Sequence, residues 1–259
     1  MNQATSADGT PIAYDTTGAG PVVVVVNGAM STAADARGIG EALADRGYTG
    51  VIYDRRARGE SGDTRPYDPE REVEDLAAVI DAVGGGAAVL GHSSGAMVAL
   101  FAASRGVPIA HLFLSEPPFR FGMGEPDPSL PERLQQLVDD GHSGEAVTTF
   151  QLEGVGLPKE IVEQIRSSPM FDGLVAIAQS VVYDATIARD LSDPTAQMRA
   201  VQTPTTVLLG AETFPLLEAA APRIADALDS AELVRVPESV GHRVDPAATT
   251  RVIAERWPA

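Results

Sequence analysis

The chain has 259 residues, 36 acidic against 19 basic side chains, a net charge of −17 and a pI near 4.5. Such an acidic surface repels phosphate backbones and anionic lipid, which excludes nucleic acid and charged membranes as expected partners. No cysteine is present, so disulfides, thiol nucleophiles and thiolate metal sites are excluded, and a reducing compartment fits.

The first residues, Met1 to Asp8, carry neither a basic run nor an apolar run, so no signal peptide is expected. Ile12–Asp15 is predicted as an edge strand. Val22–Val26 is the most apolar early run, far too short to span a bilayer but well suited to a buried strand. A soluble, cytoplasmic protein is the expectation. Further strands are predicted at Gly50–Tyr53, Ala87–Leu90, His111–Leu114, Thr205–Leu209 and Glu232–Val236.

Helical patterns alternate with these strands. Val73, Leu76, Ile80 and Val83 recur at helical spacing before Gly84, and Ala96–Ser104 runs to Gly106. Leu217–Leu228 is a third such segment, with Pro222 expected to start or kink it. Asp245-Pro246 reads as an N-cap followed by a proline that opens a last helix. This alternation predicts an α/β fold, a mostly parallel central sheet with helices on both faces. From residue 117 to 201 no strand pattern occurs. That span is expected to be a helical cap over the carboxyl ends of the strands, inserted into a core made of residues 1–116 and 202–259.

The segment Gly91-His92-Ser93-Ser94-Gly95 lies between a predicted strand and a predicted helix. A serine at so tight a turn needs small neighbours, which Gly91 and Gly95 supply, and its hydroxyl then projects beyond the sheet. The Ser94 N–H, at the helix start, points where a carbonyl oxygen would gain charge if Ser93 attacked it.

With these elements in order the chain resembles the α/β-hydrolase superfamily over nearly its whole length. Val22 to Ala29 is similar to the strand and loop that build the family's oxyanion hole, with Asn27 where histidine is usual. By position the donor there is the Ala29 N–H, and the Asn27 side chain is free to tie the loop down. Tyr53 to Gly62 is similar to the family's Asp-x-Arg-Gly-x-Gly-x-Ser turn, although Ala57 replaces its first glycine.

The resemblance implies a base after the last strand, and of the four histidines only His242 stands there. His92, inside the turn, is expected to be structural and to point away from Ser93. The acid usually follows the penultimate strand, but the position it would take holds Thr213. Two carboxylates compete: Glu116, at the end of the strand after the Ser93 helix, where some members of the superfamily carry it, and Glu212, one residue early. Glu116 is preferred.

The expected chemistry is acyl transfer to water on an ester, lactone or thioester of an apolar small molecule, without cofactor or metal. Phe119, Phe121, Met123, Phe150, Met170 and Phe171 are candidates to line the substrate cleft. A cofactor-free lyase, cyclase or perhydrolase on the same fold stays open, as does a non-catalytic binding module. A dehalogenase is disfavoured, because that chemistry needs a carboxylate where Ser93 stands. The sequence leaves the oligomeric state open.

Overall fold

The computed structural model describes residues 1–259. In chain order the elements begin with β1 (Asn2–Thr5), β2 (Pro11–Gly18), β3 (Val22–Val26), α1 (Arg37–Ala44), β4 (Thr49–Tyr53) and α2 (Pro69–Ala82). They continue with β5 (Ala88–His92), α3 (Ser94–Ser104) and β6 (Leu112–Ser115). Six helices follow: α4 (Leu130–Asp139), α5 (Ser143–Thr149), α6 (Lys159–Arg166), α7 (Phe171–Ala176), α8 (Ala178–Asp190) and α9 (Ala196–Arg199). The chain closes with β7 (Thr205–Ala211), α10 (Pro215–Ala227), β8 (Ala231–Val240) and α11 (Pro246–Arg256).

One eight-stranded sheet has the order β1-β2-β4-β3-β5-β6-β7-β8. The first two strands pair antiparallel, and every pair from β4 to β8 is parallel. The five valines of β3 lie near the centre, where both faces are covered and β-branched side chains pack well on the pleat. Alternate residues serve opposite layers. Val24, Val26, Val89 and Leu114 join the core under α2 and α3, while Val23, Val25, Leu90 and Phe113 join that under α1 and α11. Helix α3 is buried nearly all round, which explains its lack of a polar face.

Register sets the functional edge. Val26 is level with Gly91, His92 with Ser115, and Ser115 with Leu208. The loops after β3, β5, β6 and β7 therefore leave the sheet side by side.

The structure departs from the sequence expectations in several places. The strand expected at the edge, Ile12–Asp15, is β2 and lies one place in, with β1 outside it. Strand β1 and helix α1, only four and eight residues long, are not among the predicted elements. Pro222 lies inside α10, whose first turn begins instead at Pro215. Strand β8 continues past Pro237 to Val240; it is the sheet edge, where proline costs no ladder bond on the open side. Between the pairs Leu209–Arg235 and Ala211–Val240, β8 advances five residues while β7 advances two. This bulge turns the end of β8 toward the loops of the neighbouring strands.

No strand occurs between Ser115 and Thr205. The helices there build a small core of their own from Leu134, Val147, Phe150 and Val181, against which Ala29 and Met30 of the main body pack. No helix is long and apolar enough to cross a membrane.

Candidate active site

Ser93 connects β5 to α3 with φ 53° and ψ −125°, a region that non-glycine residues rarely occupy. The surroundings enforce it. A Cβ on Gly91 would come within 2.6 Å of Ala96 Cα, and one on Gly95 within 2.1 Å of the Val26 carbonyl oxygen. Only glycine lets α3 start this close to β3 and β5.

The Ser93 hydroxyl lies 3.0 Å from Nε2 of His242, whose Nδ1 lies 2.5 Å from Oε2 of Glu116. With the Nδ1 proton directed at the carboxylate, Nε2 is the acceptor for the serine proton. Glu116 and His242 also take positive φ, 47° and 62°. Three side chains from three loops thus meet on strained backbone.

Glu116 is buried, and both of its oxygens take further hydrogen bonds. It accepts from the Gly210 N–H at 3.0 Å and from the Thr213 hydroxyl at 2.9 Å. Burial alone would raise its pKa, but the hydrogen bonds and the charge of His242 outweigh that and hold the carboxyl below its ordinary range. Glu212, the alternative acid, is exposed and makes no bond to His242.

His92 does not point clear of the site. Its ring lies 4.6 Å from that of His242, tilted by 39°, and its Nδ1 is 3.2 Å from the Ser115 hydroxyl. Burial, with the charge of His242 beside it, pushes its pKa down to about 3, so it stays neutral.

The loop after β3 is tied from both sides. Asn27 donates its amide to the Thr32 carbonyl at 2.6 Å, the role its position suggested. Arg58 Nη1 donates to the Gly28 carbonyl at 2.6 Å and to that of Ser31 at 3.1 Å, while Arg55 Nη1 reaches the Asn27 carbonyl at 3.3 Å. The Gly28 carbonyl belongs to the same planar peptide unit as the Ala29 N–H, so the Arg58 bond fixes where that donor aims. The Ala29 N–H itself donates to no group of the chain.

Both arginines are fully buried, and Asp184 of α8 holds them: Arg55 Nη1 at 3.0 Å and Arg58 Nη2 at 2.7 Å. Asp184 also accepts from the Ser94 hydroxyl at 2.9 Å, and Glu72 completes the Arg55 pairing at 2.7 Å. One ionic cluster therefore joins the Asp54–Gly62 turn, the β3 loop, the start of α3 and helix α8. Two arginines at positions the family motif leaves free were the only sequence signal for it. Asp184, in an unremarkable helix, gave none.

A cleft of about 280 Å³ opens at Ser93 and His242. Its walls include Met97 of α3, Phe150, Val155, Ala188, Phe214 and Leu217. Of the six lining residues expected from sequence, only Phe150 is there. Phe119 is fully buried in the main core, and Phe121 packs against that core. Met123 lies on the following loop and is not in the cleft wall, Met170 is 61 % exposed, and Phe171 packs on the small core of the helices between β6 and β7. Phe150, Gly154 and Val155 come from a π-helical stretch, Phe150–Val155, a form of helix that often marks functional sites. A second, more polar depression flanks the other side of Ser93, between Ser31, Asp35, His92 and Arg243. Ala29 and Val155 border both.

The chain matches the model of an alpha/beta hydrolase family over residues 23–255. An alpha/beta hydrolase from Sphaerobacter thermophilus is 41 % identical and superposes with a TM-score of 0.91, over 99 % of this chain and 100 % of that one. A hydrolase from Pseudomonas aeruginosa is 24 % identical, TM-score 0.78, covering 100 % and 98 %. The enol-lactonase of Burkholderia xenovorans is 20 % identical, TM-score 0.75, with full coverage of both chains; these last two likenesses speak for the fold alone. None of the functionally curated proteins matches. The parallel sheet, the tight turn after β5 and the extent of the family match together make this chain a member of the alpha/beta hydrolase family.

Proposed function

We propose that the protein is a serine hydrolase that cleaves an ester, lactone or thioester of a small, largely apolar molecule through an acyl-enzyme. The observation that carries this reading is the hydrogen-bonded line from Ser93 through His242 to Glu116 at the mouth of the cleft.

In the first step Ser93 Oγ bonds to the substrate carbonyl carbon as its proton passes to His242 Nε2. Glu116 keeps the ring oriented and stabilises the imidazolium. The developing oxyanion takes hydrogen bonds from the N–H groups of Ala29 and Ser94, one preset by Arg58 and the other by the first turn of α3. His242 then returns the proton to the leaving oxygen or sulfur, which departs. Water, deprotonated by the same nitrogen, attacks the acyl-enzyme, and the acid product leaves with Ser93 restored. Residues 117–201 act as the cap, closing the cleft with Phe150 and Val155.

The test is labelling by a fluorophosphonate, together with rates on p-nitrophenyl esters of graded chain length, lactones and thioesters. Labelling and turnover, both lost in Ser93→Ala, are expected. Labelling without turnover of any carbonyl compound would turn the assignment toward the non-hydrolytic enzymes of this fold. Absence of labelling would leave a binding module.

A further inference from the structure

Apart from Asp184, the charged residue in the wall of the cleft beside Ser93 and His242 is Arg120. It lies four residues after Glu116, and its backbone is anchored by an N–H bond to the Ser192 carbonyl at 2.7 Å. The side chain is half-buried, and its guanidinium has one partner, the Gly124 carbonyl at 2.9 Å from Nη1. Most of its donors remain free. Asp184 cannot serve it, being already shared by Arg55 and Arg58.

Several exposed arginines also lack an ion pair, but among those shielded from solvent Arg120 alone does. Acidic side chains outnumber basic ones 36 to 19, and the buried arginines Arg55, Arg56 and Arg58 all have carboxylate partners. A partly desolvated guanidinium without an anion is costly, and the cost is offset when a ligand supplies the anion. Its planar fork matches a carboxylate. Around it the cleft is apolar, lined by Phe150, Ala188, Phe214 and Leu217. At about 280 Å³ it suits a short chain.

We propose that the molecule acted on by Ser93 carries a carboxylate on the portion seated in this cleft, an apolar spacer separating it from the scissile carbonyl, and that Arg120 binds that carboxylate. The substrate class is then the half-esters and lactone acids of short dicarboxylates. For turnover this rests on the serine hydrolase reading; for binding it does not, and the experiment separates the two.

Calorimetry on Ser93→Ala compares monomethyl glutarate and monomethyl adipate with their dimethyl esters. The mono-anions should bind roughly 10- to 100-fold more tightly, as a charged hydrogen-bonded contact allows. The gap should vanish in Ser93→Ala/Arg120→Gln and return in part with Arg120→Lys. Equal affinities, or a gap that survives Arg120→Gln, would overturn the proposal and leave Arg120 as a tether for the Gly124 loop. In parallel, the unaltered protein is given p-nitrophenyl hydrogen glutarate and p-nitrophenyl valerate. A binding gap with no turnover of either would sink the hydrolase reading while Arg120 kept its role. Turnover with no binding gap would do the opposite.

Discussion

The Thr213 hydroxyl donates to Oε2 of Glu116 at 2.9 Å, the same oxygen that meets His242 Nδ1. The position where the family's acid is usual therefore still touches the Glu116–His242 pair, but as a donor to a carboxylate delivered by another strand. Removal of that carboxylate charge is the sharpest test of its role. Glu116→Gln is expected to lower kcat by roughly three to four orders of magnitude, because the ring loses its orienting partner. Far-ultraviolet dichroism should stay unchanged and Glu212→Gln should have little effect. In the Glu116→Gln background, Thr213→Asp should restore part of the rate; a severe Glu212→Gln beside an active Glu116→Gln would refute the assignment.

Arg58 holds the Gly28 carbonyl, and with it the direction of the Ala29 N–H, the proposed oxyanion donor. Arg58→Met frees that peptide to rotate, so kcat should fall by roughly 100-fold, the scale of one lost oxyanion donor, with KM nearly constant. A rise in KM at constant kcat would mean that Arg58 shapes the cleft instead.

Asp184 is the shared anion of two buried arginines. Asp184→Ala leaves Arg58 without a carboxylate partner and should cost about 3–5 kcal/mol of stability, read as a shift of the urea midpoint. A loss below about 1 kcal/mol, the scale of a surface ion pair, would show that the cluster contributes little.

Gly210 lies where β7 passes both the bulge of β8 and the acid. A Cβ there would stand 2.2 Å from the Ser239 carbonyl oxygen and 3.0 Å from Glu116 Oε1. Gly210→Ala must push the bulge or the carboxylate aside. Reduced kcat and a lower melting temperature are both expected; unchanged values would mean that this edge yields easily.

His92 makes stability pH-dependent with a definite sign. Its folded pKa is depressed to about 3, whereas an unfolded histidine titrates near its ordinary value. As pH falls through about 6.5 the unfolded chain takes up a proton that the folded one refuses, so stability drops down to about pH 3. Urea midpoints at pH 7.5 and pH 5 should therefore differ less in His92→Gln than in the unaltered protein. An identical pH dependence in the two would contradict the burial assigned to this ring.

The sequence by itself determined the elements whose signals are local. A run of five valines, the glycines flanking Ser93 and the Asp245-Pro246 cap each act through their own backbone or nearest neighbours, so they are legible in a line of residues. The order of loops along the chain also narrowed the base to one histidine and the acid to two carboxylates. Only in the tertiary structure does one of those carboxylates, Glu116, meet His242. Glu116 and Glu212 follow adjacent strands, and only the register of β6 on β7 and the bulge of β8 bring His242 to the first. The cleft lining was decided there too. Side chains between β6 and β7 face their own small core or the cleft according to how the helices dock, and composition does not encode that choice. The same holds for Asp184, a single carboxylate in a helix until two arginines more than 120 residues away close on it.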